Sequence, residues 1–315
     1  MKAILYDTYG GPEVMSLREI AIPEPKPGEV LVKIKAAGIN PIDYKVRNGS
    51  MKLIASGKFP RIPGSEIAGV VEKTSTNAVK FSPGDKVFAM LSMAGGGYAQ
   101  FISVKEELLS IMPRDLGFEE SAVIPLAGLT ALQSLRNYGN LKKGMSVLIN
   151  GASGGVGIYA VQIAKALGAR VTAVCSGKNT AFVSGLGADN IIDYQTRDFI
   201  LLDQKFDIVF DAVAKSSPSK TKALLKKGGT YVTTVPNPSV MLRQFFNFAF
   251  PQKAFGMLCK PGSSDLDILA EMASNGKIKP HIEKTYTLEQ AAEVHKHIES
   301  ERVRGKLVIK IGHDI

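Results

Sequence analysis

Ser146-Val-Leu-Ile-Asn-Gly-Ala-Ser-Gly-Gly-Val-Gly157 decides the fold. A short apolar run ends at Asn150, and four glycines follow within the seven residues Gly151–Gly157. An amphipathic stretch with Ala160, Val161, Ala164 and Leu167 on one side then stops at Gly168. This is strand, loop, helix. Glycines here permit a tight turn, a backbone that touches a pyrophosphate, and close packing of helix on strand. The free N–H groups that begin the helix attract phosphate. The context predicts a dinucleotide seat.

Working outward, further apolar runs begin at Arg170, Asn190, Asp207, Thr230 and Phe255, separated by helical segments. They predict an α/β fold with a doubly wound parallel sheet of about six strands. The first third differs. Val30-Leu-Val-Lys-Ile-Lys alternates apolar and polar residues, and Ile67–Glu72 and Lys86–Met90 resemble two more strands, the latter entered through Pro83-Gly84-Asp85. The rhythm changes near Glu119. The tail reads as a strand near Glu283–Tyr286, a helix over Leu288–Ser300 and a strand over Lys306–Lys310. Such a piece has no core of its own and must pack on another domain.

Composition bounds the class. The chain has 315 residues, 45% hydrophobic and 22% charged, as a globular protein does. Two cysteines, Cys175 and Cys259, exclude a disulfide framework and fit a reducing compartment. No apolar run reaches the roughly 18 residues of a membrane span, and the start lacks the apolar core of a signal peptide. A soluble cytoplasmic protein is expected. The net charge is +10, and between Asp211 and Asp265 there are eight cations and no acid. Such a field suits a phosphorylated cofactor, anionic lipid or nucleic acid, and equally a solvated face.

The second strand ends in Cys175-Ser-Gly-Lys-Asn179. A site for NAD places a carboxylate there to hold the ribose 2′-hydroxyl. None is present, whereas Ser176, Lys178 and Asn179 donate to a 2′-phosphate. NADPH is the expected cofactor.

Taken together, several segments resemble one family. They are Gly38-Ile-Asn-Pro-Ile-Asp-Tyr-Lys45, Phe59-Pro-Arg-Ile-Pro-Gly-Ser-Glu-Ile-Ala-Gly69, Gly84-Asp-Lys-Val, Leu126–Leu132, the glycine loop, Leu186–Tyr194 and Gly305-Lys-Leu-Val. The chain is similar over its full length to the zinc-independent quinone and enone oxidoreductases of the medium-chain dehydrogenase/reductase superfamily. The nearest branch includes chloroplast-envelope quinone oxidoreductase homologues and furanone-forming enone oxidoreductases. The resemblance implies a GroES-like catalytic domain (1–118 and 281–315), a Rossmann domain (119–280), a cofactor cleft between domains and a homodimer. It implies cofactor contacts from Lys45, Thr130, Ser153, Gly154, Gly155, Val156, Ser176, Lys178, Asn179, Tyr194, Val235, Gly305 and Lys306.

Zinc-dependent members carry Cys and His where this sequence has Asn40 and Ser65, and neither replacement is a good zinc ligand. All four histidines come late, and His295 and His297 are expected on different sides of a helix, at the surface. No metal is expected. Some other group must then stabilise charge on the substrate oxygen as hydride leaves the nicotinamide. By resemblance that group is Lys45, with Asn40 and Tyr44 in support; Asp43 is expected to anchor the turn or to pair with Lys45. Five phenylalanines between Phe245 and Phe255, just past Pro236-Asn-Pro238, form a substrate wall, core packing, an interface or a membrane-docking face. The expected substrate is a small hydrophobic quinone or unsaturated carbonyl, with carbonyl–alcohol exchange or a non-catalytic RNA- or membrane-surface role as alternatives. Nucleic acid binding and integral membrane association are not expected.

Overall fold

In the computed structural model, which describes residues 1–55, 57–235 and 237–312, the alternating stretch at Val30 lies inside an eleven-residue strand. The first part of the chain forms β1 (Lys2–Tyr6), β2 (Met15–Glu19), β3 (Glu29–Ile39), α1 (Pro41–Arg47), β4 (Glu66–Thr74), β5 (Lys86–Met90), β6 (Phe101–Lys105) and β7 (Leu109–Ile111). The middle forms β8 (Ser146–Asn150), α2 (Gly155–Ala166), β9 (Arg170–Cys175), β10 (Asn190–Asp193), β11 (Phe206–Asp211), β12 (Leu225–Thr233), α3 (Pro238–Phe245) and β13 (Lys253–Gly256). The last part forms α4 (Ser263–Ser274), β14 (Ile282–Thr287), α5 (Ala291–Glu299) and β15 (Lys306–Lys310). Further helices lie between these elements.

The chain divides into two units. The first comprises Met1–Leu126, Pro261–Gly276 and Pro280–Ile315. Its sheet runs β14-β15-β3-β4-β5-β7, with β6 also on β3, beside a β1–β2 ribbon. The tail strand β15 is sandwiched between β14, parallel, and β3, antiparallel, with Leu307 opposite Ile39. That is where the expected orphan piece finds its core: Leu307 and Ile309 pack with Val32, Ile34, Ile39 and Ile67. The expected bounds of this domain are 1–118 and 281–315. The structure adds α4, whose Asp267 carboxylate accepts a hydrogen bond from Ser110 of β7. A contact between residues 157 apart leaves no local trace in sequence.

The second unit, Ala127–Lys260 with Lys277–Lys279, holds six parallel strands in the order β10-β9-β8-β11-β12-β13. The order reverses direction beside β8, so the glycine loop that follows β8 stands at the topological switch point, where such sheets take ligands. No helix among the described residues is long and apolar enough to cross a membrane.

Candidate functional site

In the first unit the site is built around α1. Pro41 fits the first helical turn, where its missing N–H is no loss, and Asp43 accepts from the backbone N–H of Asn40 at 2.8 Å. The Asn40 side chain turns elsewhere. Its Nδ2 donates to Glu66 Oε1 (2.8 Å) and its Oδ1 accepts from Lys306 Nζ (2.5 Å). Lys306 also donates to Glu66 Oε1 (2.7 Å) and to the Ile39 carbonyl (3.0 Å). The second Glu66 oxygen accepts from the Leu126 backbone N–H at 2.7 Å. Glu66 and Lys306 are buried, so their pairing and hydrogen bonds must compensate a large desolvation cost. Gly38 makes room, because a Cβ there would collide with the Glu66 carboxylate.

Behind α1 lies a buried relay. Ser65 donates to Asp43 Oδ1 (2.5 Å), and the Tyr98 hydroxyl donates to Asp43 Oδ2 (3.2 Å). His295 Nε2 lies 3.3 Å from that hydroxyl, and Arg47 Nη1 lies 3.0 Å from His295 Nδ1. Arg47 only donates, so Nδ1 accepts and the ring proton sits on Nε2, aimed at Tyr98. Arg47 pairs with Glu299 as well (2.5 Å). Burial pushes the Asp43 carboxyl up to about 6 despite its hydrogen bonds, and burial beside Arg47 pushes His295 down to about 3. Burial also raises Tyr98 well above the ordinary phenol range.

Of the two alternatives for Asp43, it anchors the turn, with Ser65, Tyr98 and Asn40 as its partners. One expectation changes here. His295 is not a surface residue; it is fully buried. Tyr98 and Arg47 complete this network, and neither drew attention as a sequence. His297 is half-buried, bonded to the Tyr286 hydroxyl (2.7 Å) and 3.3 Å from Glu283. His313 lies outside the described residues, as does Pro236. Lys45 and Tyr44 are both partly exposed on α1, the ammonium 6.0 Å from the tyrosine ring. Gly305 adopts φ +76° to turn the chain into β15, where a side chain would meet the His281 carbonyl.

Among the described residues no group of three His, Cys, Asp or Glu could hold a metal ion. At the positions discussed, the donors are an amide and a hydroxyl, and the Lys306 ammonium already occupies Glu66. That set does not fit zinc.

In the second unit α2 begins at Gly155 after an extended Gly154, and the Ile158 N–H donates to the Gly154 carbonyl (3.0 Å). The N–H groups of Gly155, Val156 and Gly157 precede that bond, and the first turn carries no acid. This end suits a pyrophosphate. Gly157 is required, since a Cβ would meet the Gly151 carbonyl and lie 2.7 Å from Ala152 Cα. Asn179 Nδ2 bridges Ser153 Oγ (3.1 Å) and Ser176 Oγ (3.2 Å), joining three of the expected residues. Lys178 and Tyr194 are exposed nearby in sequence and sheet order, the Tyr194 N–H bonding the Cys175 carbonyl at 3.1 Å. Thr130 is buried, and Val235 is exposed past the end of β12. The sequence reading saw no acid after β9. The register of β10 nonetheless sets Asp193 opposite Cys175, with its carboxylate beside Gly177 and accepting from Gln195 N–H at 3.0 Å.

Comparison with known proteins agrees with this architecture. Residues 26–114 match the alcohol dehydrogenase GroES-like domain, and residues 186–309 match the zinc-binding dehydrogenase family. The chain is 34% identical to the chloroplastic quinone-oxidoreductase homolog of Spinacia oleracea, covering 98% of each chain. It is 32% identical to the 2-methylene-furan-3-one reductase of Solanum lycopersicum, covering 98% of this chain and 79% of the other. The solved quinone oxidoreductase of Coxiella burnetii superimposes with a TM-score of 0.90 at 33% identity, covering 99% of each. The chain belongs to the quinone oxidoreductase-like medium-chain dehydrogenases/reductases.

Proposed function

We infer that the protein is an NADPH-dependent, metal-free reductase of quinones or of the carbon–carbon double bond of enals and enones. The likeness over 98% of this chain to a quinone-oxidoreductase homolog and to a 2-methylene-furan-3-one reductase carries this reading. When bound, the reduced nicotinamide supplies the hydride. The α2 terminus and Ser153, Ser176 and Asn179 hold the nucleotide phosphates, with Lys178 and Tyr194 beside the 2′-phosphate. NADPH is favoured over NADH because exposed Lys178 adds a cation after β9.

Lys45 carries the catalytic charge. Its ammonium stabilises negative charge as it develops on the acceptor oxygen, and water supplies the proton that completes the hydroquinone or saturated carbonyl. Tyr44 shares α1 with it. Asn40 and Lys306 are spent on each other and on Glu66, so they hold the start of α1 instead of meeting the acceptor. The protein acts as a homodimer in the cytoplasm.

The test follows NADPH and NADH oxidation by EDTA-treated protein with a benzoquinone, a naphthoquinone, an alkyl enal, an enone and a saturated ketone. Turnover of the unsaturated acceptors with NADPH is expected. Activity confined to the ketone and abolished by EDTA would overturn the reading.

A further inference from the structure

The segment Asn237–Met257 is built inside out. Three of its polar side chains, Arg243, Gln244 and Asn247, turn back onto the backbone. Arg243 donates to the Gln252 carbonyl (2.5 Å) and lies 3.5 Å from the Phe250 ring centroid; Asn247 accepts from Ala254 N–H (2.8 Å) and donates to the Ala254 carbonyl (3.0 Å); Gln244 accepts from Gly256 N–H (3.1 Å). Its apolar side chains face out: Phe245 is 75% and Phe248 83% exposed, with Met241, Leu242 and Phe246 exposed beside them. A solvated face has the opposite polarity, and a contiguous apolar patch of this kind marks a contact surface.

Cations stand along one edge of the segment. Gln252 donates to the carbonyls of Lys222 (3.1 Å) and Leu225 (3.0 Å), and Gly228 N–H donates to the Pro251 carbonyl (2.8 Å). These bonds bring exposed Lys222 and Lys227 to the same edge as exposed Lys253. No acid occurs between Asp211 and Asp265 to offset them.

We propose that α3 and the phenylalanines following it dock on an anionic lipid surface, the rings entering the headgroup–acyl boundary while Lys222, Lys227 and Lys253 meet lipid phosphates. An exposed apolar face with a basic rim is the pattern of interfacial binding. A second copy fits less well. Asn247 and Gln244 already cap the outer backbone groups of β13, so this strand edge is covered against pairing. A two-fold contact on this face also sets like cations against each other, with no carboxylate from the segment to answer them.

The experiment floats the full-length protein with vesicles of phosphatidylcholine, with and without phosphatidylglycerol, at low and high salt. Binding to the anionic vesicles at low salt, and its loss at high salt, is expected. Phe245→Ser with Phe248→Ser alters exposed side chains only, so the urea midpoint stays while vesicle affinity falls about tenfold or more. Lys222→Ala weakens binding roughly fivefold, the share of one cation near a charged membrane. Absence of binding to anionic vesicles overturns the proposal, as does binding that neither variant weakens. A wild-type dimer that the double phenylalanine variant converts to monomer also overturns it, because the face then belongs to a second copy.

Discussion

Arg47 donates through Nη1 to Nδ1 of His295 at 3.0 Å, and this contact fixes the tautomer of a fully buried imidazole. The unfolded chain takes up a proton at His295 near pH 6.5, but the folded protein does so only near 3. Between those values the unfolded state binds more protons, so His295 makes stability decrease as the pH is lowered, by up to about 1.4 kcal/mol per unit. Asp43 works oppositely, since its folded carboxyl is raised from 3.8 to about 6 and binds its proton first. His295→Gln removes only the first effect. Urea unfolding near neutrality and near pH 5 is expected to show a smaller acid loss in the variant than in wild type; equal losses would mean the folded imidazole is charged.

Lys306→Met leaves the buried Glu66 carboxylate without its cation. The expected loss is about 3–5 kcal/mol of stability, measured by urea unfolding. Pairing it with Glu66→Gln removes the stranded charge and restores part of the loss, which simple damage to packing in β15 would not allow.

Much of this architecture is legible locally. The alternation at Val30, the glycine run at Gly151 and the turn at Pro83 each report their own backbone: β3 contains the first, β8 ends just before the second, and β5 starts just after the third. The relay is not local. Arg47 and His295 lie 248 residues apart, and an arginine at the end of a short helix reads as solvated until another helix covers it. Asp193 was missed for a similar reason: it ends its own strand, and only the parallel register carries it to Cys175. Asn40 was legible as a departure from a metal ligand, but its engagement by Lys306 required knowing that β15 returns beside β3.

Lys45→Ala is expected to lower kcat for quinone or enone reduction by about 10²–10³-fold, the usual effect of losing one aimed donor. NADPH affinity, measured separately by fluorescence titration, distinguishes a loss in chemistry from a loss in cofactor binding. An unchanged kcat would remove Lys45 from the catalytic role.

Gly157→Ala puts a methyl group against the Gly151 carbonyl and the Ala152 backbone. Nucleotide affinity is expected to fall roughly tenfold or more as the loop shifts. Binding titrations with NADPH report this directly, and wild-type affinity would show that the turn yields without consequence.

Lys178→Glu places a carboxylate where a 2′-phosphate is expected. Its kcat/KM ratio for NADPH over NADH should drop by about tenfold through like-charge repulsion. Parallel assays with the two nucleotides measure it; an unaltered ratio would move the discriminating contact to other residues.

The place of β15 between β14 and β3 also has a consequence for how the protein is made. During synthesis Glu66 leaves the ribosome 240 residues ahead of the lysine that neutralises it. Until then the amino-terminal sheet has an open seam along β3 and an unanswered carboxylate at the mouth of β4. Domains generally mature from the amino end as translation proceeds, yet here the earliest sheet waits for the last strand, and the second unit can fold first.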